Sequence, residues 1–181
     1  MLRLKYYFEW FFYFLFFSLI AIVQATFISS LPAAYFAINL PLTALLFSLL
    51  FFNKNMSLVL AILMGFWLDI LGFNFFGLHI LVFLAIVFII DFILNNWLTN
   101  RSLYSFLVLS ILSAVVYDIL LYSFVALWQN GQNDFSFFLL QSYFWKQLLW
   151  QMFWSAIFML LFFSIANSLS KQLKHFFLEK K

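Results

Sequence analysis

Several ionisable residues, among them two aspartates and a histidine, stand in the apolar stretches of this sequence, where charged groups are costly. Asp69 lies near the end of one apolar stretch, Asp118 lies well inside another, and His79 begins a third. Paired aspartates could serve an intramembrane protease, but a bare pair of acids is a weak signal. The sequence has no cysteine, no His-Glu-x-x-His and no Gly-x-Ser-x-Gly motif. It therefore predicts no catalytic residue, no cofactor and no metal site.

The elements that position these residues must be membrane-spanning helices. The chain has 181 residues, of which 67% are hydrophobic and 8% are charged, whereas a soluble domain carries about 25% charged residues. A single protein core cannot bury so much apolar surface, so the rest of that surface must face lipid. This excludes a soluble enzyme and a disordered tail. Nucleic acid is not an expected partner, because the net charge of +3 comes from scattered cations.

The apolar runs divide into six predicted spans. The run from Trp10 to Asn53 contains no charge and is too long for one crossing, so it must fold back near Pro32. Asn39 and Pro41 predict an irregular first turn in the second span. We expect an all-α bundle forming a single integral membrane domain over residues 1–181. The predicted spans are residues 8–28, 35–52, 56–72, 77–94, 103–128 and 146–168.

The cations sort by side when the spans are counted this way. Only Lys146 falls on one side of the predicted bundle, and every other Lys or Arg falls on the opposite side. An excess of Lys and Arg marks the cytoplasmic side, so both termini are predicted to be cytoplasmic. The cytoplasmic cations are Arg3, Lys5, Lys54, Arg101, Lys171, Lys174, Lys180 and Lys181.

Some polar residues near the span ends have an ordinary structural interpretation. Asp91 is close to the cytoplasmic end of the fourth span, where it can meet interfacial water or Arg101. Glu9 begins the first span beside cations that can neutralise it. His79 follows a glycine turn without a second His nearby, which favours a hydrogen-bonded helix start over a metal ligand.

Asp118 is too deep in its span to reach water with a short side chain. It must face the bundle, be protonated, or bond to a partner, for which Tyr122 on the same helix and Gln147 and Gln151 on the sixth span are candidates. One interpretation is a polar lock between two helices, and another is a contact with a partner or ligand. A proton relay is the third, although no chain of acids continues across the membrane.

Residues 65–79 resemble the signature region of the MreD family of rod-shape-determining membrane proteins. The resemblance rests on Gly65-x-x-x-Asp69, a glycine-containing turn, and Gly77-Leu78-His79 at the start of the next span. The segment Val115–Leu120, which contains Asp118, is similar to the family's fifth-span region. Gly65, Asp69, Gly77, His79 and Asp118 are therefore the candidate functional or helix-packing residues.

The resemblance implies a non-enzymatic scaffold of the bacterial cell-elongation machinery (the elongasome), located in the cytoplasmic (inner) membrane. Its implied partners are an MreC-like protein, MreB filaments, and the peptidoglycan synthases RodA and its penicillin-binding protein, besides membrane lipid. For Gly65 and Asp69 we expect a role in shaping an outer-leaflet groove between spans three and four.

A second hypothesis comes from the fold that the resemblance implies. That fold is similar to the substrate-binding S component of energy-coupling-factor vitamin transporters, which is also a small bundle of six spans. An S component docks to its coupling subunit through small residues on span one, and Ala21-x-x-x-Ala25 is a patch of that kind. A vitamin pocket should, however, be richer in Arg, Lys, Asn and Tyr at its mouth than this sequence.

Overall fold

A computed structural model describes residues 2–31, 37–51, 54–72, 75–96, 103–128 and 142–178. Within these residues the fold is all-helical, as predicted, and a short 3₁₀ helix, Ile28–Ser30, follows the first α-helix. The helices are α1 (Leu2–Thr26), α2 (Leu40–Phe51), α3 (Lys54–Leu71), α4 (Leu78–Asn96), α5 (Leu103–Trp128) and α6 (Ser142–Leu178).

Five of these helices, α1 and α3 to α6, are long and apolar enough to cross a membrane. They coincide with five of the six predicted spans. The 37-residue α6 exceeds its predicted span at both ends, and at 1.5 Å per residue it is about 55 Å long. It therefore extends well beyond the hydrocarbon thickness of about 30 Å.

The remaining helix, α2, is shorter than the predicted second span. It has 12 residues, or about 18 Å of helix, and begins at Leu40 rather than at residue 35. Its irregular start has the predicted cause, because Pro41 lacks an N–H and the Asn39 side chain accepts the Leu42 N–H at 3.1 Å. Residues 32–36 lie outside the described residues.

The short helix α2 is the centre of the bundle and contacts each of the other five helices. A helix that is apolar on all sides is typical of such a buried position. Nine of its residues are buried: Pro41, Leu42, Thr43, Ala44, Leu45, Leu46, Ser48, Leu49 and Leu50.

The hairpin of α3 and α4 defines the two ends of the bundle. At one end, the Lys54 end, the Lys54 ammonium lies 2.7 Å from the Asp91 carboxylate. This ion pair adds Lys54 to the partners expected for Asp91, whose side chain remains 19% accessible, while Arg101 lies outside the described residues. At the other end, the Asp69 end, Asp69 contacts His79. Lys146, in the first turns of α6, lies at the Asp69 end and opposite to Lys54, as predicted.

Candidate functional site

At Gly65, α3 and α4 approach each other closely. A Cβ atom placed on Gly65 would lie 2.7 Å from the backbone N and Cα of Ile80 and 3.0 Å from the carbonyl carbon of His79. The obstructing atoms are backbone, so they cannot swing aside as a flexible side chain would. Glycine therefore allows the first turn of α4 to rest directly on α3, a close approach typical of helix pairs in membranes.

One turn further along α3, Asp69 caps the start of α4 from outside that helix. Its side chain is completely buried, and its carboxylate accepts the N–H groups of Gly77 and His79, each at 2.9 Å, and that of Ile80 at 3.4 Å. The first N–H groups of a helix have no partner within the helix. Asp69 supplies these partners, and its negative charge lies at the positive end of the α4 dipole.

Gly77 makes the turn that presents these N–H groups to Asp69. Its backbone has a φ of 96°, which lies in the left-handed region that side chains with a Cβ disfavour. The turn is closed by a hydrogen bond from the Leu78 N–H to the Phe75 carbonyl at 3.1 Å. Glycine is thus required here by backbone conformation, whereas at Gly65 it is required by space.

His79 completes the arrangement with its ring as well as its backbone. The Nδ1 atom lies 2.8 Å from Asp69 Oδ1, so the ring donates to the carboxylate when Nδ1 carries the proton. A histidine held in this way turns its other nitrogen, Nε2, away from the carboxylate. The predicted hydrogen-bonded helix start is confirmed, and Asp69 is its partner.

A cavity of about 720 Å³ lies at the Asp69 end of the bundle, among α1, residues 37–39 and α3 to α6. His79 and Asp118 both line it, but Gly65 and Asp69 do not. At Gly65 itself α3 and α4 are in direct contact, and the groove expected between spans three and four stays a prediction. The other polar lining residues are Gln24, Ser29, Asn39, Tyr117, Tyr122, Gln147 and Gln151.

Asp118 joins α5 to α6 at the cavity wall. In the amide orientation that satisfies both groups, the Gln151 nitrogen donates to the two carboxylate oxygens of Asp118 at 2.9 and 3.1 Å. Tyr122, one turn along α5, donates to Gln147 at 3.4 Å. Both glutamines that the sequence suggested as partners thus belong to one polar bridge between the helices.

Removing the Asp118 carboxylate tests this bridge. We expect Asp118→Leu to lower the stability by about 1–3 kcal/mol, because it leaves the Gln151 amide without a partner inside the bundle. Asp118→Asn keeps an oxygen that accepts from Gln151 and should have a much smaller effect. Thermal unfolding in detergent, followed by tryptophan fluorescence, measures both. Equal midpoints for the two variants and the unaltered chain would refute the bridge.

The structure thus brings four of the five candidate residues together and sets the fifth apart. Gly65, Asp69, Gly77 and His79 form one junction between α3 and α4, while Asp118 reaches the cavity from α5. No hydrogen bond joins the two aspartates in the described part of the chain, and no group of three potential metal ligands occurs there.

The sequence reasoning missed the role of Gln24. Its side chain donates to the Ile38 carbonyl at 2.7 Å and accepts the Leu40 N–H at 3.1 Å. It thereby ties α1 to the start of α2. The signal in the sequence was a lone amide inside an uncharged span, which needs a partner as much as a buried acid does.

This junction explains each position of the motif Gly-x-x-x-Asp followed by Gly-Leu-His, and the motif is part of a longer match. The family profile described as rod shape-determining protein MreD matches residues 5–169. The chain belongs to the MreD family. It is accordingly a rod-shape-determining integral membrane protein, and the resemblance seen in the motif is confirmed. No curated protein and no solved structure gives a significant match to the chain.

The match to the MreD profile extends well beyond the fifteen residues of the motif. It includes α2 to α5 completely, most of α1, and the membrane-spanning part of α6. Helix α2 and the residues that line the cavity are therefore parts of the region that the family profile matches.

Proposed function

We propose that this MreD-family chain is a non-enzymatic scaffold of the bacterial cell-elongation machinery, and that it forms one domain in the cytoplasmic membrane. In this role it binds an MreC-like protein and links MreB filaments to RodA and its penicillin-binding protein partner. The observation that carries the proposal is the family match over residues 5–169.

We further propose six crossings of the membrane, with both termini in the cytoplasm. The contacts of Gln24 with residues 38 and 40 hold the start of α2 at the Asp69 end. At the Lys54 end, the hydroxyl of Ser48 lies 3.0 Å from that of Ser57. The chain between α1 and α3 therefore passes from one end to the other, with α2 as the helical part of the second crossing. The positions of Lys54 and Lys146 support a cytoplasmic Lys54 end.

The geometry of the acids supports a scaffold rather than an enzyme. Asp69 is enclosed and accepts hydrogen bonds from three backbone N–H groups and a ring. This arrangement stabilises a helix junction and leaves the carboxylate poorly placed to meet a substrate. Asp118 faces the cavity but is bonded to Gln151, which is neither an acid nor a base.

An S component of a vitamin transporter is the second candidate, and the cavity is the observation that favours it. The proposed docking patch argues against this function. Ala21 has no exposed surface in the bundle, and Ala25 lines the cavity. A small residue that is already packed inside the bundle, as Ala21 is, cannot receive a coupling subunit.

The proposal predicts which proteins accompany the chain in its membrane. We expect a tagged chain, purified from native membranes in mild detergent, to enrich an MreC-like protein and the wall synthases in quantitative mass spectrometry. Gly65→Val should lose this enrichment because it disrupts the junction of α3 and α4, whereas Val59→Ile, on the exposed face of the same helix, should keep it.

Recovery of a membrane coupling subunit with its ATPases in place of these proteins would contradict the scaffold and favour the transporter. Recovery of neither set above a control purification from untagged membranes would also contradict the proposed assembly.

A further inference from the structure

The carboxylate of Asp118 is buried, and in the described part of the chain it has no ion pair with a Lys or Arg. The residue is 3% exposed, and its partner is the neutral amide of Gln151. A buried carboxylate is normally paired with a positive charge, because an amide alone compensates little of the lost hydration.

Among the side chains that the structure describes, no Lys or Arg is placed to supply that charge. Lys54 lies at the opposite end of the bundle and is paired with Asp91. Lys146 shares the Asp69 end, but it is exposed and does not line the cavity. The segments that join the helices at this end, residues 32–36, 73–74 and 129–141, contain neither Lys nor Arg.

A second acceptor faces the same cavity. His79 is 8% exposed, and its Nδ1 is held by Asp69. Its Nε2 has no hydrogen-bond partner among the described residues, although the ring lines the cavity. When Nδ1 carries the proton, Nε2 is an acceptor.

The cavity wall offers no comparable site for an anion. Residues 37–39, just before α2, line the cavity, and the N–H groups of a nearby helix start would attract a negative ligand. However, the Leu40 N–H is taken by Gln24 and the Leu42 N–H by Asn39, and Pro41 has no N–H. The backbone N–H groups at the start of α2 are therefore taken, whereas the acceptors of Asp118 and His79 face the cavity.

We propose that this cavity binds a small molecule through a cationic ammonium or guanidinium group, which donates hydrogen bonds to Asp118 and His79. The volume of about 720 Å³ lies in the usual range for small-molecule sites. The ammonium comes either from a free amine or from the headgroup of an ethanolamine lipid. This site is separate from the proposed scaffold function, because neither the family match nor partner recovery depends on it.

The test measures binding to the purified full-length chain. The free probes are ethanolamine and agmatine, titrated by isothermal calorimetry in detergent. The lipid probe is native mass spectrometry after reconstitution in nanodiscs of phosphatidylethanolamine and phosphatidylglycerol. We expect Asp118→Asn to weaken binding about tenfold or more, since it removes a charged hydrogen bond but keeps an acceptor for Gln151. Asp91→Asn is the matched control at the other end and should bind like the unaltered chain.

Binding of a free amine identifies a soluble ligand, and retention of phosphatidylethanolamine over phosphatidylglycerol identifies the lipid headgroup. Either result supports the site if Asp118→Asn loses it while keeping the unaltered thermal midpoint. The proposal is wrong if neither probe binds, if phosphatidylglycerol is retained equally, or if Asp118→Asn and Asp91→Asn bind alike. Because the site is separate from the scaffold function, we expect recovery of an MreC-like protein to be unaffected by these amines.

Discussion

Asp69→Ala is expected to lower the stability of the bundle by about 3 kcal/mol or more, the largest effect expected for any carboxylate that the structure describes. The change leaves the N–H groups of Gly77 and His79 without partners in a buried site. It also removes the hydrogen-bond partner of the His79 imidazole. Each buried donor that loses a charged partner costs about 1–3 kcal/mol. Thermal unfolding in detergent, followed by the fluorescence of the tryptophans, measures the loss.

Asp91→Ala is the matched control for this change. It removes a carboxylate from the neighbouring helix, where the ion pair with Lys54 is partly exposed, with side chains 40% and 19% accessible for Lys54 and Asp91. Such pairs contribute about 1 kcal/mol or less. If Asp69→Ala unfolds at the temperature of Asp91→Ala, Asp69 is not a structural cap, and the functional groove predicted from the sequence regains support.

Gly65→Val is expected to have the second-largest effect, a loss of about 2–3 kcal/mol or failure to form the α3–α4 hairpin. Its Cβ would lie 2.7 Å from two backbone atoms of Ile80, so α3 and α4 must separate. Separation also pulls α4 away from the Asp69 carboxylate, which adds to the ordinary cost of overpacking. The same unfolding measurement applies, together with the yield of folded protein after size-exclusion chromatography.

Gly65→Ala and Val59→Ile provide the comparison. Gly65→Ala adds one carbon and should already lower the midpoint, by less than Gly65→Val. Val59→Ile adds a carbon to the same helix on a side chain that is 50% exposed, and it should change nothing measurable. Unaltered midpoints for both Gly65 variants would mean that α3 and α4 are not in direct contact at this position.

The long crossings were predictable because each is a run of apolar residues bounded by polar ones. The length of α2 was not predictable, although Asn39 and Pro41 correctly indicated that the start of this helix needs special explanation. Its first turn is set by the side chain of Gln24, sixteen residues earlier than Leu40. A contact over that distance leaves no periodic signal in the sequence, whereas a run of apolar residues does.

The candidate site likewise has a part that local sequence predicts and a part that depends on distant contacts. Gly65 and Asp69 share a helix face through their spacing of four residues, and a short turn brings Gly77 and His79 back to that face. Local reasoning therefore identified the four residues, but not what they do together. The cavity could not be predicted from the sequence, because its polar wall combines residues from α1, the segment just before α2, α4, α5 and α6.

The motif that marks the family is, in physical terms, a clamp between two helices. One glycine gives space, one glycine gives a turn, and a carboxylate satisfies the end of the second helix. The motif therefore stabilises the bundle, and the cavity beside it is available for recognition. Several of the few polar residues in this membrane protein serve this one junction.

The most direct test of the central claim is cell shape in the native host when this chain is depleted and then supplied from a plasmid. The account predicts that depleted cells lose their rod form, that the unaltered chain and Val59→Ile restore it, and that Asp69→Ala does not. Depleted cells that keep growing as rods would contradict a role in rod-shape determination.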